Sequence, residues 1–198
     1  MQAAEKMPFS AAVEVRRAQE EDIPAIWEIT QEAFLKYADA LGSRGKVKAL
    51  LETQQDILLD MRKKVVLIGL VGGKPMGSIR LEAMGDVAYI SRFGVRTSAQ
   101  GQGVGRALLA EVEKLCRQRG DIAAIALHTS SRMAGLIRFY YGQGFLCIPQ
   151  APTAAISARC SCGKSRRAGQ IFPPSWKNSK KKRRRPLWAA FLRARKKL

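Results

Sequence analysis

The last 48 residues contain no aspartate or glutamate, and the whole 198-residue chain contains a single histidine. Fifteen basic side chains stand unopposed in that tail, a net of +15, whereas residues 1–150 carry 20 basic and 16 acidic groups, a net of +4. The formal charge of +19 is therefore local, and charge alone does not make the main body a nucleic-acid binder. Cysteine is scarce as well. Cys116, Cys147, Cys160 and Cys162 show no paired C-x-x-C spacing. With His128 the sole histidine, no zinc site is expected and a reduced, cytoplasmic protein is. The longest apolar run, Val65 to Val71, is far short of the ~20 residues of a spanning helix. The opening MQAAEKMPFS lacks an apolar core, so the reading predicts neither export nor anchoring. A body of about 150 residues can bury roughly 68–70% of its unfolded surface and needs no metal or disulfide to fold.

What is present is a change of period along the chain. Val13 to Arg16 alternates as a strand. Glu20, Glu21 and Asp22 before Pro24 open a helix, where the dipole favours negative charge, and Ile23, Ile26, Trp27, Ala33, Phe34 and Tyr37 recur at helical spacing. Gly42 to Gly45 breaks that helix, and Leu50 to Met61 marks a second. Val65–Val71, Pro75–Leu81 and Val87–Val95, separated by Gly72-Gly73 and Gly85-Asp86, read as an antiparallel meander. Gly103 to Arg119 is amphipathic and closes at Gly120; Ile122–Leu127, Met133–Tyr141 and Phe145–Ile148 follow as strand, helix and strand. The order β-α-α-β-β-β-α-β-α-β predicts an α+β (α/β) domain over residues 12–150 with a mixed central sheet of about six to seven strands flanked by helices.

The most informative stretch is Gln100-Gly101-Gln102-Gly103-Val104-Gly105-Arg106, between a strand and a helix. Glycines that open a helix leave main-chain N–H groups directed at one spot, a phosphate site made of backbone and dipole. A dinucleotide G-x-G-x-x-G from Gly101 would need glycine at position 106, which is Arg106, and the G-K-[ST] of a Walker loop is absent. The remaining pattern, Q-x-x-G-x-G, resembles the acyl-CoA pyrophosphate loop of the GNAT acetyltransferase superfamily. Leu127-His128-Thr129-Ser130, and Tyr140 four residues before Gly144-Phe145, resemble that family's fifth strand and fourth helix, and Val15 to Pro24 resembles its opening. Ser91 to Val95 with these segments is similar to a bacterial subgroup of small members. The asparagine often found seven residues before the tyrosine is Met133 here.

The resemblance implies a fold that splays beside its fourth strand and an acetyl-CoA-dependent N-acetyltransferase acting on a primary amine, without metal or covalent enzyme intermediate. By the same resemblance Gln100, Gly101, Gly103, Val104, Gly105 and Arg106 hold the cofactor's pyrophosphate, with bulk at Gly103 or Gly105 blocking its close approach. Phe93 and Val95 offer main-chain groups to the pantetheine arm, the Val95 N–H facing the thioester oxygen. Tyr140 is the expected proton donor to the departing thiolate. Tyr141, turned ~100° away on a helix, is expected to pack. Gly94 fits either a bulge or a plain strand glycine. Glu32, Glu82 and His128 are weaker candidates for the base that deprotonates the amine, each more readily explained as a solvated or structural group. The acceptor is expected to be chosen by the first two helices and residues 42–48. A CoA-binding domain without turnover is the competing reading, and a homodimer is compatible with either.

Residues 151–198 read as a polar, basic, aperiodic tail in which disorder is expected, lacking the final strand that such a domain normally adds. Codons compatible with Thr153–Gly163 spell, in the neighbouring frame, Asp-Arg-Gly-Tyr-Ile-Arg-Ala-Leu-Leu-Val-Arg, which resembles the subgroup's terminal strand. On that ground the tail is read as out-of-frame translation or a sequencing error. Taken as genuine, Lys177–Arg185 is a nucleic-acid or localisation-like run, and Leu187–Leu192 a short helix for an anionic surface.

Overall fold

The computed structural model describes residues 12–42, 47–150 and 153–159, with side chains described through residue 146. Seven strands follow the hydrogen-bonded order β1-β2-β3-β4-β5-β7-β6: β1 Val13–Arg17, β2 Val65–Val71, β3 Lys74–Met84, β4 Val87–Val95, β5 Ala124–Thr129, β6 Leu146–Gln150 and β7 Thr153–Arg159. The helices are α1 Ile23–Leu41, α2 Gln54–Lys63, α3 Val104–Arg119 and α4 Ala134–Gly142. The chain divides into two compact units, Met1–Arg80 with Arg92–Glu111, and Leu81–Ser91 with Val112–Leu198.

In the first unit β1 pairs antiparallel with β2, Val13 opposite Val71 and Arg17 opposite Leu67. The turn from β1 into α1 is held by charge: Arg16 forks onto both carboxylate oxygens of Asp22 at 2.6 and 2.8 Å, and the Gln19 N–H donates to the same carboxylate. Pro24 lies in the first turn of α1, where its missing N–H costs nothing, and Gly42 closes the helix at φ 62°, as its sequence position predicts. Ile23, Ile26, Ile57, Val66, Ile68 and Leu70 form the core against which Trp27, Leu58 and Met61 pack. Each such side chain contributes about 1.5–3 kcal/mol on burial.

The second helix starts later than its apolar spacing suggests. Lys48–Leu51 is a 3-10 turn with Leu51 exposed, and α2 begins after Thr53 because Thr53 and Asp56 form a reciprocal capping box, Asp56 N–H donating to Thr53 Oγ1 and Thr53 N–H to Asp56. Arg80 of β3, fully buried, anchors this segment. Its Nη1 and Nη2 donate to Glu52 at 2.7 and 2.6 Å, and Nη1 also donates to Asp60 at 2.7 Å. Asp60 is paired in turn with Lys64. Burial pushes the Asp60 carboxyl up, yet the hydrogen bonds from Lys64 and Arg80 outweigh it and hold the group below the usual carboxylate range.

In the second unit β4 runs parallel to β5, with Val87 opposite Ala124 and Tyr89 opposite Ala126. The Ala123 N–H donates to Asp86 O at the start of β5. Val87, Ala124 and Ala126 form a small core under Tyr89. Gly120 ends α3 at φ 74°, and Arg119 forks onto Asp121 just beyond it.

The boundary drawn at residue 150 needs correction. Thr153–Arg159 is not an aperiodic tail: it is β7, antiparallel to β5 from Thr129↔Ala154 to Ala124↔Arg159, and antiparallel to β6 from Leu146↔Ser157 to Gln150↔Thr153. A ladder is built from main-chain groups, and β5 would otherwise present an unpaired edge, so a small-residue segment with no strong pattern can still supply the strand. The expectations placed on residues 160–198 lie outside the described residues.

Replacing Arg80 with alanine leaves Glu52 and Asp60 without their shared buried cation and is expected to cost about 3–5 kcal/mol in urea unfolding. Asp22, whose carboxyl the Arg16 hydrogen bond holds low, behaves like Asp60 on acidification. Both folded-state values lie below the unfolded one. The stability they contribute is therefore complete above the unfolded carboxylate pKa of about 4 and is lost as the pH falls through the lower folded values. Thermal melts between pH 7 and pH 2 should show that loss, with a shallower acid limb for Asp22→Asn.

Candidate active site

The glycine loop lies in the first unit, between β4 and α3. After β4 the chain makes a 3-10 turn, Thr97–Ala99, and reaches α3 through Gly101 and Gly103, left-handed at φ 83° and 88°. The Ala107 N–H donates to Gly103 O, so Gly103 caps α3, and the N–H groups of Val104, Gly105 and Arg106 precede the first intrahelical bond. No atom lies within 4 Å of a Cβ built at Gly101 or Gly103. Within the protein, glycine is required there by the backbone dihedral; the steric demand expected at Gly103 concerns a bound phosphate and is separate from it.

The helix start is seated on two other glycines. A Cβ on Gly77 of β3 would stand 2.8 Å from Val104 Cγ1 and 3.0 Å from Leu108 Cδ1, and one on Gly69 of β2 would meet Val104 Cγ1 at 3.2 Å. Val104 and Leu108, both buried, therefore press directly onto strand backbone and fix where the first turn of α3 points. Gly94 serves packing in the same way: its Cβ would lie 3.0 Å from Ala33 Cβ of α1, and its φ is not left-handed. The left-handed residue of β4 is instead Arg92, φ 49°, the one non-glycine so placed among the described residues. Nothing in the residue type at position 92 announces that.

Side chains from α1 tie the end of β4 to the loop. Arg96 donates from Nη2 to Glu28 and from Nε to Pro75 O, and its N–H pairs with Met76 O. Glu32 accepts the Thr97 N–H at 2.6 Å, with Arg96 Nη1 3.4 Å from its other oxygen. The Thr97 N–H foremost, with Arg96 adding to it, holds the Glu32 carboxyl below its ordinary value. A carboxylate so stabilised is a weak proton acceptor, which makes Glu32 a loop clamp rather than a base. The Gln100 side chain spans the gap, its Nε2 3.5 Å from Val95 O and its Oε1 3.4 Å from Lys36 Nζ. Phe93 and Val95 are half-buried on β4, and Arg106 is exposed in the first turn of α3.

The second unit carries the remaining candidates. Tyr140 is buried on α4 between Phe139 and Phe145, at ring separations of 5.3 and 5.7 Å, and its carbonyl accepts the N–H of Phe145 and of Gln143. Tyr141 is not packed as expected; it is 53% exposed, because the same turn that buries its neighbour rotates it outward. His128 on β5 meets Tyr89 of β4, Nδ1 3.1 Å from the hydroxyl and the rings 5.6 Å apart, a partner that the sequence reading missed because it comes from another strand. Glu82 is half-buried on β3. Among the described residues no group of histidine, cysteine, aspartate or glutamate is arranged to hold a metal, and no helix is long and apolar enough to cross a membrane.

A family model described as Acetyltransferase (GNAT) family matches residues 23–145. The chain belongs to that family. No curated protein matches it. Among solved structures, the PaiA N-acetyltransferase from Thermoplasma acidophilum in complex with coenzyme A superposes at TM-score 0.69 with 18% identity, covering 75% of this chain and 99% of that one. The ribosomal-protein-S18-alanine N-acetyltransferase from Escherichia coli gives 0.60 at 19% identity, over 82% and 99%. The structure of yncA from Salmonella typhimurium with its cofactor acetyl-CoA gives 0.60 at 18%, over 81% and 99%. At these identities the likeness shows the fold, a GNAT fold, as the glycine loop and the order of elements imply.

Gly77→Val should overpack Val104 and Leu108 and lower stability by about 1–3 kcal/mol. Gly103→Val should lose about 1–2 kcal/mol through its left-handed dihedral, and Gly103→Asn less. Denaturant titration of the three variants checks the order.

Proposed function

We propose that this member of the acetyltransferase family binds acetyl-CoA and transfers the acetyl group to a primary amine of a small molecule or peptide by direct attack in a ternary complex. The observation that carries the reading is the loop at Gly101–Arg106: two left-handed glycines and the first N–H groups of a 16-residue helix whose start is pressed onto Gly69 and Gly77. Main-chain donors and the positive end of a helix dipole suit a diphosphate, and Arg106 adds charge. The donor set therefore fits coenzyme A, and so do the coenzyme A and acetyl-CoA named with two of the similar structures.

In this reading Phe93 and Val95 offer main-chain groups to the pantetheine arm, and the Val95 N–H stabilises negative charge developing on the thioester oxygen. Gln100 acts indirectly, holding the loop to the end of β4. Tyr140, buried on α4 among aromatic rings, returns a proton to the thiolate from its hydroxyl. The amine loses its proton to a base outside the Glu32 clamp. Of the sequence candidates we assign that role to His128, which is hydrogen-bonded to Tyr89, an imidazole being the side-chain type that exchanges a proton near neutral pH.

Calorimetry with coenzyme A should show binding that Gly103→Val weakens and Gln102→Ala leaves unchanged. Free-thiol release with a panel of amines should fall about 10²–10⁴-fold in kcat for Tyr140→Phe, with coenzyme A affinity retained. Binding without thiol release from any amine would identify a coenzyme A binder without turnover and refute the transfer reading.

A further inference from the structure

Three cations, Arg80, Lys64 and Arg92, gather around the buried Glu52 and the half-buried Asp60. Arg80 is fully buried and both its terminal nitrogens are spent on Glu52, with Asp60 as a second acceptor. Lys64 pairs with Asp60 on the other side. These four groups are balanced, two positive and two negative. Arg92 comes on top of them, its Nε 3.1 Å from Glu52 Oε1, an oxygen that already accepts from Arg80. Asp56, the remaining acid nearby, accepts the N–H and hydroxyl of Thr53 at the start of α2 and feels Arg80 and Arg92 through space, with no hydrogen bond to Arg92.

Arg92 is thus an arginine tethered by one nitrogen. Its side chain is 29% exposed, and the Nε contact is its one hydrogen bond or ion pair among the described residues, so the Nη1–Nη2 edge makes none. Its backbone is left-handed at φ 49° in the middle of a strand, a conformation that an arginine adopts only where the surrounding structure enforces it and that more often marks function than packing. It precedes Phe93 and stands three residues, about 10 Å along a strand, before Val95. An edge of two parallel N–H donors on a fixed guanidinium is the shape that a carboxylate fits bidentately.

We propose that Arg92 is the specificity-determining residue of the acceptor site and that the acceptor is an amine carrying a carboxylate, which the Nη1–Nη2 edge of Arg92 binds. Glu52 and Arg80 are positioning residues: the buried pair fixes the carboxylate that orients the guanidinium. For turnover the proposal rests on the acetyl-transfer reading above; for binding it does not. Because Arg92 reaches out from a strand about 10 Å from the Val95 position, the separation between amine and carboxylate is left to a graded series.

The test uses glycine, β-alanine, 4-aminobutanoate and 6-aminohexanoate, each against its neutral amide, on the full chain saturated with coenzyme A for binding and with acetyl-CoA for turnover. At least one acid should bind more tightly than its amide, and should have the lower KM where turnover occurs. In Arg92→Asn, whose side chain tolerates a left-handed φ, the ratio of acid to amide affinity should shrink by about 10–100-fold, and Arg92→Lys should restore part of it. Unchanged coenzyme A affinity shows that the variants are folded. Equal binding of acid and amide by the parent protein, or an acid preference that survives Arg92→Asn, overturns the proposal. Loss of thiol release with every amine, while the Arg92-dependent binding preference persists, overturns the transfer reading and leaves this one standing.

Discussion

The closeness of Val104 to the backbone of β2 and β3 is the contact on which the remainder depends. A helix normally stands off a sheet by the thickness of two side chains; here Gly69 and Gly77 remove one of them, and the first turn of α3 settles onto bare strand. Position and aim follow together. With Val104 and Leu108 held, the first turn of α3 and its N–H groups are fixed in place, and two left-handed glycines lead the chain into it. Neither feature is sufficient alone, since a loose helix would carry the same dipole to no defined place.

Electrostatics does the corresponding work between β4 and the helices of the first unit. Glu32 on the Thr97 N–H, Arg96 on Glu28 and Gln100 beside Val95 O lace the strand end to the loop with partners that are far apart in sequence. Deeper in, the Arg80–Glu52–Asp60 cluster buries a cation that is tolerable because two carboxylates receive it. Its consequence lies at the surface, where Arg92 is left with an uncommitted edge.

The glycine loop was legible because its chemistry is main chain: Gly101 and Gly103 name the dihedrals, and the flanking strand and amphipathic helix name the setting. The antiparallel meander and the C-caps at Gly42 and Gly120 were legible for the same local reason, since left-handed φ values of 62° and 74° are what those glycines are suited to. The start of α2 was misread by apolar spacing, although Thr53-x-x-Asp56 carried the signal. Glu32 looked like a free carboxylate and is a clamp; Tyr141 looked like packing and is exposed. In both cases the deciding neighbour or rotation belongs to the folded chain.

Beyond residue 150 the divergence has another cause. Strand pairing is a property of backbone donors and acceptors on the adjoining strand, so Thr153–Arg159 becomes β7 beside β5 without announcing itself. Local sequence by itself determined the order of elements, the family resemblance and the phosphate-suited loop, because each rests on periodicity or on glycine dihedrals within a few residues. Only tertiary structure decided that Gly77 seats α3, that His128 meets Tyr89 and that Arg92 is left-handed with an unspent edge, because each is set by atoms from strands and helices that the chain brings together only on folding.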